Sequence, residues 1–67
     1  MTVDLRGDPI RVGNTVRAFV DGDPFLARIT RIDPGEGFGG TDRLILKRLD
    51  NGQRTARDSD AVYFVQD

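Results

Sequence analysis

Apolar side chains recur at every second position in several short runs of this chain, and turn-forming residues separate the runs. Val16, Ala18 and Val20 alternate with Arg17 and Phe19, the period of an extended strand with one buried face. Ala27 and Ile29 alternate with Arg28 and Thr30. Ile32 then falls out of step, which predicts a bulge or sharp bend near Arg31. A third run carries Leu44, Ile45, Leu46 and Leu49, and a last one reads Ala61-Val62-Tyr63-Phe64-Val65. Helical spacing, with apolar residues at i, i+3, i+4 and i+7, is absent. The pattern predicts strands over residues 15–20, 25–32, 43–49, 53–57 and 61–65.

The intervening residues say how the strands connect. Val12-Gly13-Asn14 turns the chain into the first strand, and Asp21-Gly22-Asp23-Pro24 forms the next turn. Asp50-Asn51-Gly52 is the strongest hairpin signal, because Asn-Gly suits the positive φ angles of a type I′ turn. Asp58-Ser59-Asp60 reads as a single helical turn, its side-chain oxygens capping free amides. Residues 33–42 include Gly35, Gly37, Gly39 and Gly40, so ordering them is entropically costly and a flexible loop is expected. Residues 1–10 contain Gly7 and Asp8-Pro9 and read as a flexible N-terminal arm, which leaves residues 11–67 as one domain. Four consecutive hairpin strands and a fifth reached through a tight turn make a meander that curls into a small all-β barrel.

Composition narrows the function. The chain has 67 residues with neither cysteine nor histidine, so disulfides and the usual zinc ligands cannot support so small a core. A barrel suits this length because it buries much side chain per residue and hides strand edges. No cofactor is expected. Nucleophile–base pairs need a histidine, a cysteine or a perturbed lysine, and Lys47 is the single lysine. The acids, Asp21 and Asp23, Asp33 and Glu36, Asp58 and Asp60, fall in predicted turns, where Asp serves as a turn former. An enzyme is therefore not expected. Gly35-x-Gly37-x-x-Gly40 matches a dinucleotide fingerprint literally, but it leads into a strand instead of the helix that such a site requires. No apolar run has the length of a signal core or a membrane span, so a cytoplasmic location with no membrane contact is the expectation. Nine of the ten basic residues are arginine, a bias that fits a GC-rich genome and a small accessory protein of a bacterium, plasmid or virus.

Residues 12 to 64 resemble the Tudor-like group of Src-homology-3-like small barrels. The likeness rests on Gly13, Val16, Ala18, Asp21-Gly22, Phe25-Leu26-Ala27-Arg28-Ile29, Asp50-Asn51-Gly52-Gln53 and Ser59-Asp60-Ala61-Val62. It implies an all-β, five-stranded small barrel. Tudor-like domains read methylated Arg or Lys through an aromatic cage. Here Phe25 alone keeps a ring at the matched cage positions, with Val20, Arg48 and Asn51 at the others, so the resemblance implies the fold without the methyl-reading ligand.

Two kinds of partner follow from the residues. The apolar Phe19, Ile45, Tyr63 and Val65 fall on outward phases of their strands. Clustered exposure would mark a protein interface or self-association; the alternative is that bent strands turn both faces inward near corners. Phe38 stands alone in the glycine-rich loop, either as an anchor that orders on binding or as a lid over a barrel end. Arg28, Arg43, Arg48 and Arg54 on neighbouring strands, with Phe25 as a stacking ring, would instead suit nucleic acid. Against that stand a net charge of −1 and the option that these arginines pair with surface acids. The expectation is a non-catalytic protein-interaction or assembly module, with nucleic-acid binding through the arginine face as the alternative.

Overall fold

The computed structural model describes residues 1–65. Its strands are β1 (Thr15–Val20), β2 (Asp23–Asp33), β3 (Arg43–Arg48), β4 (Arg54–Asp58) and β5 (Tyr63–Val65). Single 3₁₀ turns occupy Phe38–Gly40 and Ser59–Ala61. Every strand pair is antiparallel, and the order across the sheet is β4-β3-β2-β1-β5. The alternation therefore reads correctly as strand, and β1 has the bounds its pattern predicts.

The turns divide differently from the expectation. Val20 pairs with Asp23, and Asp21 and Gly22 between them take φ values of 50° and 83°, so the tight primed turn lies here. Aspartate tolerates the left-handed region through its short polar side chain. At Asn51-Gly52 no type I′ turn forms, because only Gly52 of the pair has positive φ. Instead a four-residue loop is closed by Arg48 N–H donating to Gln53 O at 2.9 Å and Gly52 N–H donating to Arg48 O at 3.0 Å. The reason is upstream: Leu49 N–H donates to Leu26 O at 3.0 Å, which holds Leu49 against β2 and delays the reversal.

The predicted bend in β2 is a register shift. Ile29 pairs with Leu46 and Arg31 with Ile45, leaving Thr30 as the extra residue. Thr30 donates its hydroxyl to Ile45 O at 3.1 Å. Beyond the bulge the sheet curls around one core, in which Val16, Ala18, Phe25, Ala27, Ile29, Leu44 and Leu46 face inward and Ile10 and Val62 join them. Each fully buried Val, Ile or Leu of this set contributes about 1.5–3 kcal/mol.

The sheet does not close by backbone pairing among the described residues: β4 and β5 are its edges. The expected barrel is thus an open, strongly curled sheet. In a flat sheet β4 and β1 would lie about 14 Å apart, three strand spacings. Here the Arg57 guanidinium of β4 donates to Phe19 O of β1 from Nε at 3.3 Å and from Nη2 at 3.1 Å. One side chain spans the gap that a strand ladder leaves open.

The first ten residues differ from the expected loose arm. Val3 bridges to Pro9, Leu5 N–H donates to Val62 O at 3.1 Å, and Ile10 enters the core at 4% exposure. Asp4 lies in this loop, and its carboxylate accepts from Arg6 N at 2.9 Å, Asp8 N at 2.8 Å and Phe64 N at 2.7 Å. A turn that supplies a core residue and fixes β5 belongs to the domain, so the domain begins before residue 11. The glycine-rich segment is held at its base by Gly37 N–H donating to Thr41 O at 2.7 Å and Gly35 N–H donating to Asp42 Oδ1 at 2.9 Å.

Candidate interaction surface

The register fixes what each face of the sheet presents. With Val16, Ala18, Ala27 and Leu46 inward, the intervening residues Arg17 and Phe19 of β1, Leu26 and Arg28 of β2, and Ile45 and Lys47 of β3 turn outward. Tyr63 of β5 pairs with Arg17, and Val65 with Thr15. Phe19 and Tyr63 meet edge to face, with ring centroids 6.0 Å apart at 83°, and the Arg6 guanidinium lies 5.3 Å from the Tyr63 centroid.

Two adjoining concavities share Arg17. One, of about 390 Å³, is walled by Arg6, Arg17, Phe19, Tyr63, Phe64 and Val65. The other, of about 530 Å³, is walled by Arg17, Pro24, Phe25, Leu26, Leu49 and Asp50. Phe19, Leu26 and Leu49 remain 38%, 41% and 51% exposed. Together they form an apolar strip across β5, β1, β2 and the end of β3, with a cation at its centre.

Beside that strip runs a basic row. Thr15 of β1 pairs with Arg28 of β2, Arg28 with Lys47 of β3, and Lys47 with Arg54 of β4. Three cations thus stand side by side on successive strands, all exposed. Among the described residues no carboxylate comes within ion-pairing distance of Arg17, Arg28, Lys47 or Arg54, although Arg31 and Arg48 each have one and Arg6 has two.

Of the residues proposed from sequence as a protein interface, the structure brings Phe19, Tyr63 and Val65 together. Ile45 lies apart, half-buried between Arg31 and Ala56 on its neighbouring strands. Phe38 is 89% exposed on its 3₁₀ turn and does not cover the core. The proposed arginine set divides. Arg28 and Arg54 flank Lys47 in the basic row, whereas Arg43 stands between Asp33 and Asp58 in register.

Arg48 and Phe25 require a correction. Phe25 is 6% exposed, and the Arg48 guanidinium covers its ring 4.2 Å from the centroid, with Arg57 at 5.7 Å. Arg48 also binds Asp50 through two bonds of 3.0 and 2.8 Å. Cross-strand pairing explains this: Arg48 is opposite Ala27, whose methyl leaves room for an inward-turned guanidinium. Phe25 is therefore no free stacking platform, and Arg48 is engaged within the domain. No family model, no curated protein and no solved structure matches the chain.

Leu26 and Leu49 escaped the sequence reading, and so did the central place of Arg17. Leu26 carried a signal, since it is the one apolar residue on the outward phase of Phe25-x-Ala27-x-Ile29. The displaced carboxyl groups serve as anchors. For Asp4, burial alone would raise the value, but the amides of Phe64, Asp8 and Arg6 outweigh it and hold the group below the usual carboxylate range. Asp33 is lowered by Arg31, Asp42 by Thr2 and Gly35, and Asp50 by Arg48.

Proposed function

We propose that this chain is a non-catalytic protein-interaction module that binds through the outer face of β5, β1 and β2. The observation that carries this reading is the contiguity of Tyr63, Phe19, Leu26 and Leu49 around Arg17, in two adjoining concavities on one sheet face. Exposed apolar side chains in a continuous strip are characteristic of contact surfaces, and an arginine within such a strip is a common interface residue. The Src-homology-3-like or Tudor-like assignment of the curled sheet belongs to the same proposal. Its support is the five-stranded meander order, the bulged β2 that bends the sheet and the 3₁₀ turn before β5. Arg48 stands at one of the matched cage positions, and its guanidinium covers Phe25, the one ring kept there, which speaks against a methyl-reading ligand.

Selection from a random-peptide display library tests the module reading. Enrichment of peptides whose binding is lost in Phe19→Asp and Leu26→Asp, but kept in Phe38→Asp, is the expected result. Enrichment lost only in Phe38→Asp would move the site to the glycine-rich loop, and no enrichment at all would remove the reading.

A further inference from the structure

The basic row gives the partner a chemistry. Arg28, Lys47 and Arg54 are direct lateral neighbours across β2, β3 and β4, and like charges opposite one another on adjacent strands destabilise a sheet. This chain has 11 acidic residues and uses Asp33 and Asp50 to neutralise the nearby Arg31 and Arg48. Among the described residues it places none against the row. Among the described residues, then, the row sets like charges side by side with no ion pair to offset their repulsion.

It also lies next to the apolar strip. On the outer face Arg28 is two residues beyond Leu26 on β2, and Lys47 of β3 is two residues before Leu49, which follows the strand. Two residues of strand span about 6.6–6.8 Å, which is also the distance between alternate side chains of an extended peptide. An occupant lying along β2 and β3 would meet an aliphatic site and then a cationic site at that spacing.

We propose that the ligand of this face is an acidic polypeptide segment in extended form, with an apolar anchor two residues from an Asp or Glu. The anchor enters the Leu26–Leu49 concavity, and the carboxylates lie over Arg28, Lys47 and Arg54. This rests on the module reading above. A phosphate backbone fits the face less well. Phe25, the ring expected beside the arginines for base stacking, is covered by Arg48, and the outer-face rings of Phe19 and Tyr63 pack edge to face on each other. Asp50 lines the apolar concavity, and Asp21 and Asp23 border the neighbouring turn, so a polyanion extending past three cations would meet carboxylates.

Peptides from the library selection, labelled and titrated by fluorescence anisotropy, decide the matter. The expected result is a consensus with the apolar-x-acidic spacing in either direction, weaker binding as salt rises, and a loss on the order of tenfold or more in Lys47→Glu. Lys47→Gln should lose less, and Leu26→Asp should abolish binding. Lys47→Glu should also unfold at a higher temperature than the parent, so its loss of binding could not be attributed to unfolding. A consensus without acidic bias, insensitive to Lys47→Glu yet lost in Leu26→Asp, would overturn the charge proposal and leave the module standing. Failure of every peptide would overturn both. Binding of a single-stranded oligonucleotide tighter than any selected peptide would overturn the proposal in favour of nucleic acid.

Discussion

Asp4 shows how much of this fold rests on single side chains. Its carboxylate, fully buried, is the acceptor for three backbone amides, and through Phe64 it fastens the N-terminal loop to β5. Asp4→Ala would orphan those amides, each at a cost of roughly 1–3 kcal/mol when buried, so a destabilisation of at least about 2 kcal/mol is expected in urea titration. The pH dependence has a definite sign. Because the folded-state value of Asp4 is depressed, its contribution is complete above the unfolded Asp value of about 3.9 and is lost as pH falls through the folded one. The Asp4→Asn variant should therefore lose less stability than the parent between neutral pH and pH values below about 4; parallel curves would count against this role. Gly37 is a second such position, for a steric reason. Its backbone is extended, but a Cβ there would lie 2.8 Å from Thr41 O and 2.9 Å from Asp58 Oδ1, and closer still to Thr41 Oγ1. Thr41 O cannot retreat without losing the Gly37–Thr41 bond, and Thr41 Oγ1 cannot without giving up its bond to Phe38 O. Gly37→Ala should cost about 1–3 kcal/mol, measurable as a lowered urea midpoint.

Among the elements, the edge strand β4 depends on Arg57. Besides its bonds to Phe19 O, the guanidinium donates to Thr55 Oγ1 at 2.8 Å and Ala56 O at 2.7 Å, so it ties β4 both to itself and to β1. Arg57→Lys keeps the charge but cannot present a planar fork to three acceptors. It should destabilise the domain by about 1–3 kcal/mol and speed amide exchange in β4 more than in β2; uniform exchange would contradict the bridging role. Nothing in the sequence marked Arg57 for this, because the bridge spans two intervening strands and exists only once the sheet has curled. The elements themselves were far more legible. Period-two burial locates β1 and β2, apolar runs locate β3 and β5, the turn signal at Asp50-Asn51-Gly52 locates the polar β4 behind it, and Ile32 falling out of phase locates the bulge. The primed turn was assigned to the wrong hairpin because Asn-Gly outranks Asp-Gly by local preference alone. The bond from Leu49 to Leu26, a contact between strands, decided otherwise.

At the scale of the whole molecule, the sequence disclosed that apolar side chains would be left over, but not which of them would meet. Phe19 and Tyr63 lie far apart along the chain and come together because β5 returns beside β1. Phe25 and Arg48 are legible as residues of interest but not as partners of each other, because a guanidinium over a ring in the same domain cannot be told by alternation from one awaiting a partner. The basic row has the same origin: Arg28, Lys47 and Arg54 align only through the registers of two hairpins. That alignment sets stability against binding in a way that one substitution can separate. Lys47→Glu would turn two repulsive lateral neighbours into two attractive ones, each worth about 0.2–1 kcal/mol, and so should raise the unfolding midpoint at low salt, with the gain fading as ionic strength screens it. An unrelated surface reversal, such as Arg11→Glu, has no such neighbours among the paired strands and should leave the midpoint nearly unchanged. A row whose removal stabilises the free domain is retained against its own folding energy, and a gain in stability accompanied by loss of the acidic ligand would show that binding is what the row provides. If Lys47→Glu instead lowered the midpoint, the cations would be stabilising the sheet themselves, and the argument that they await an anionic partner would end there.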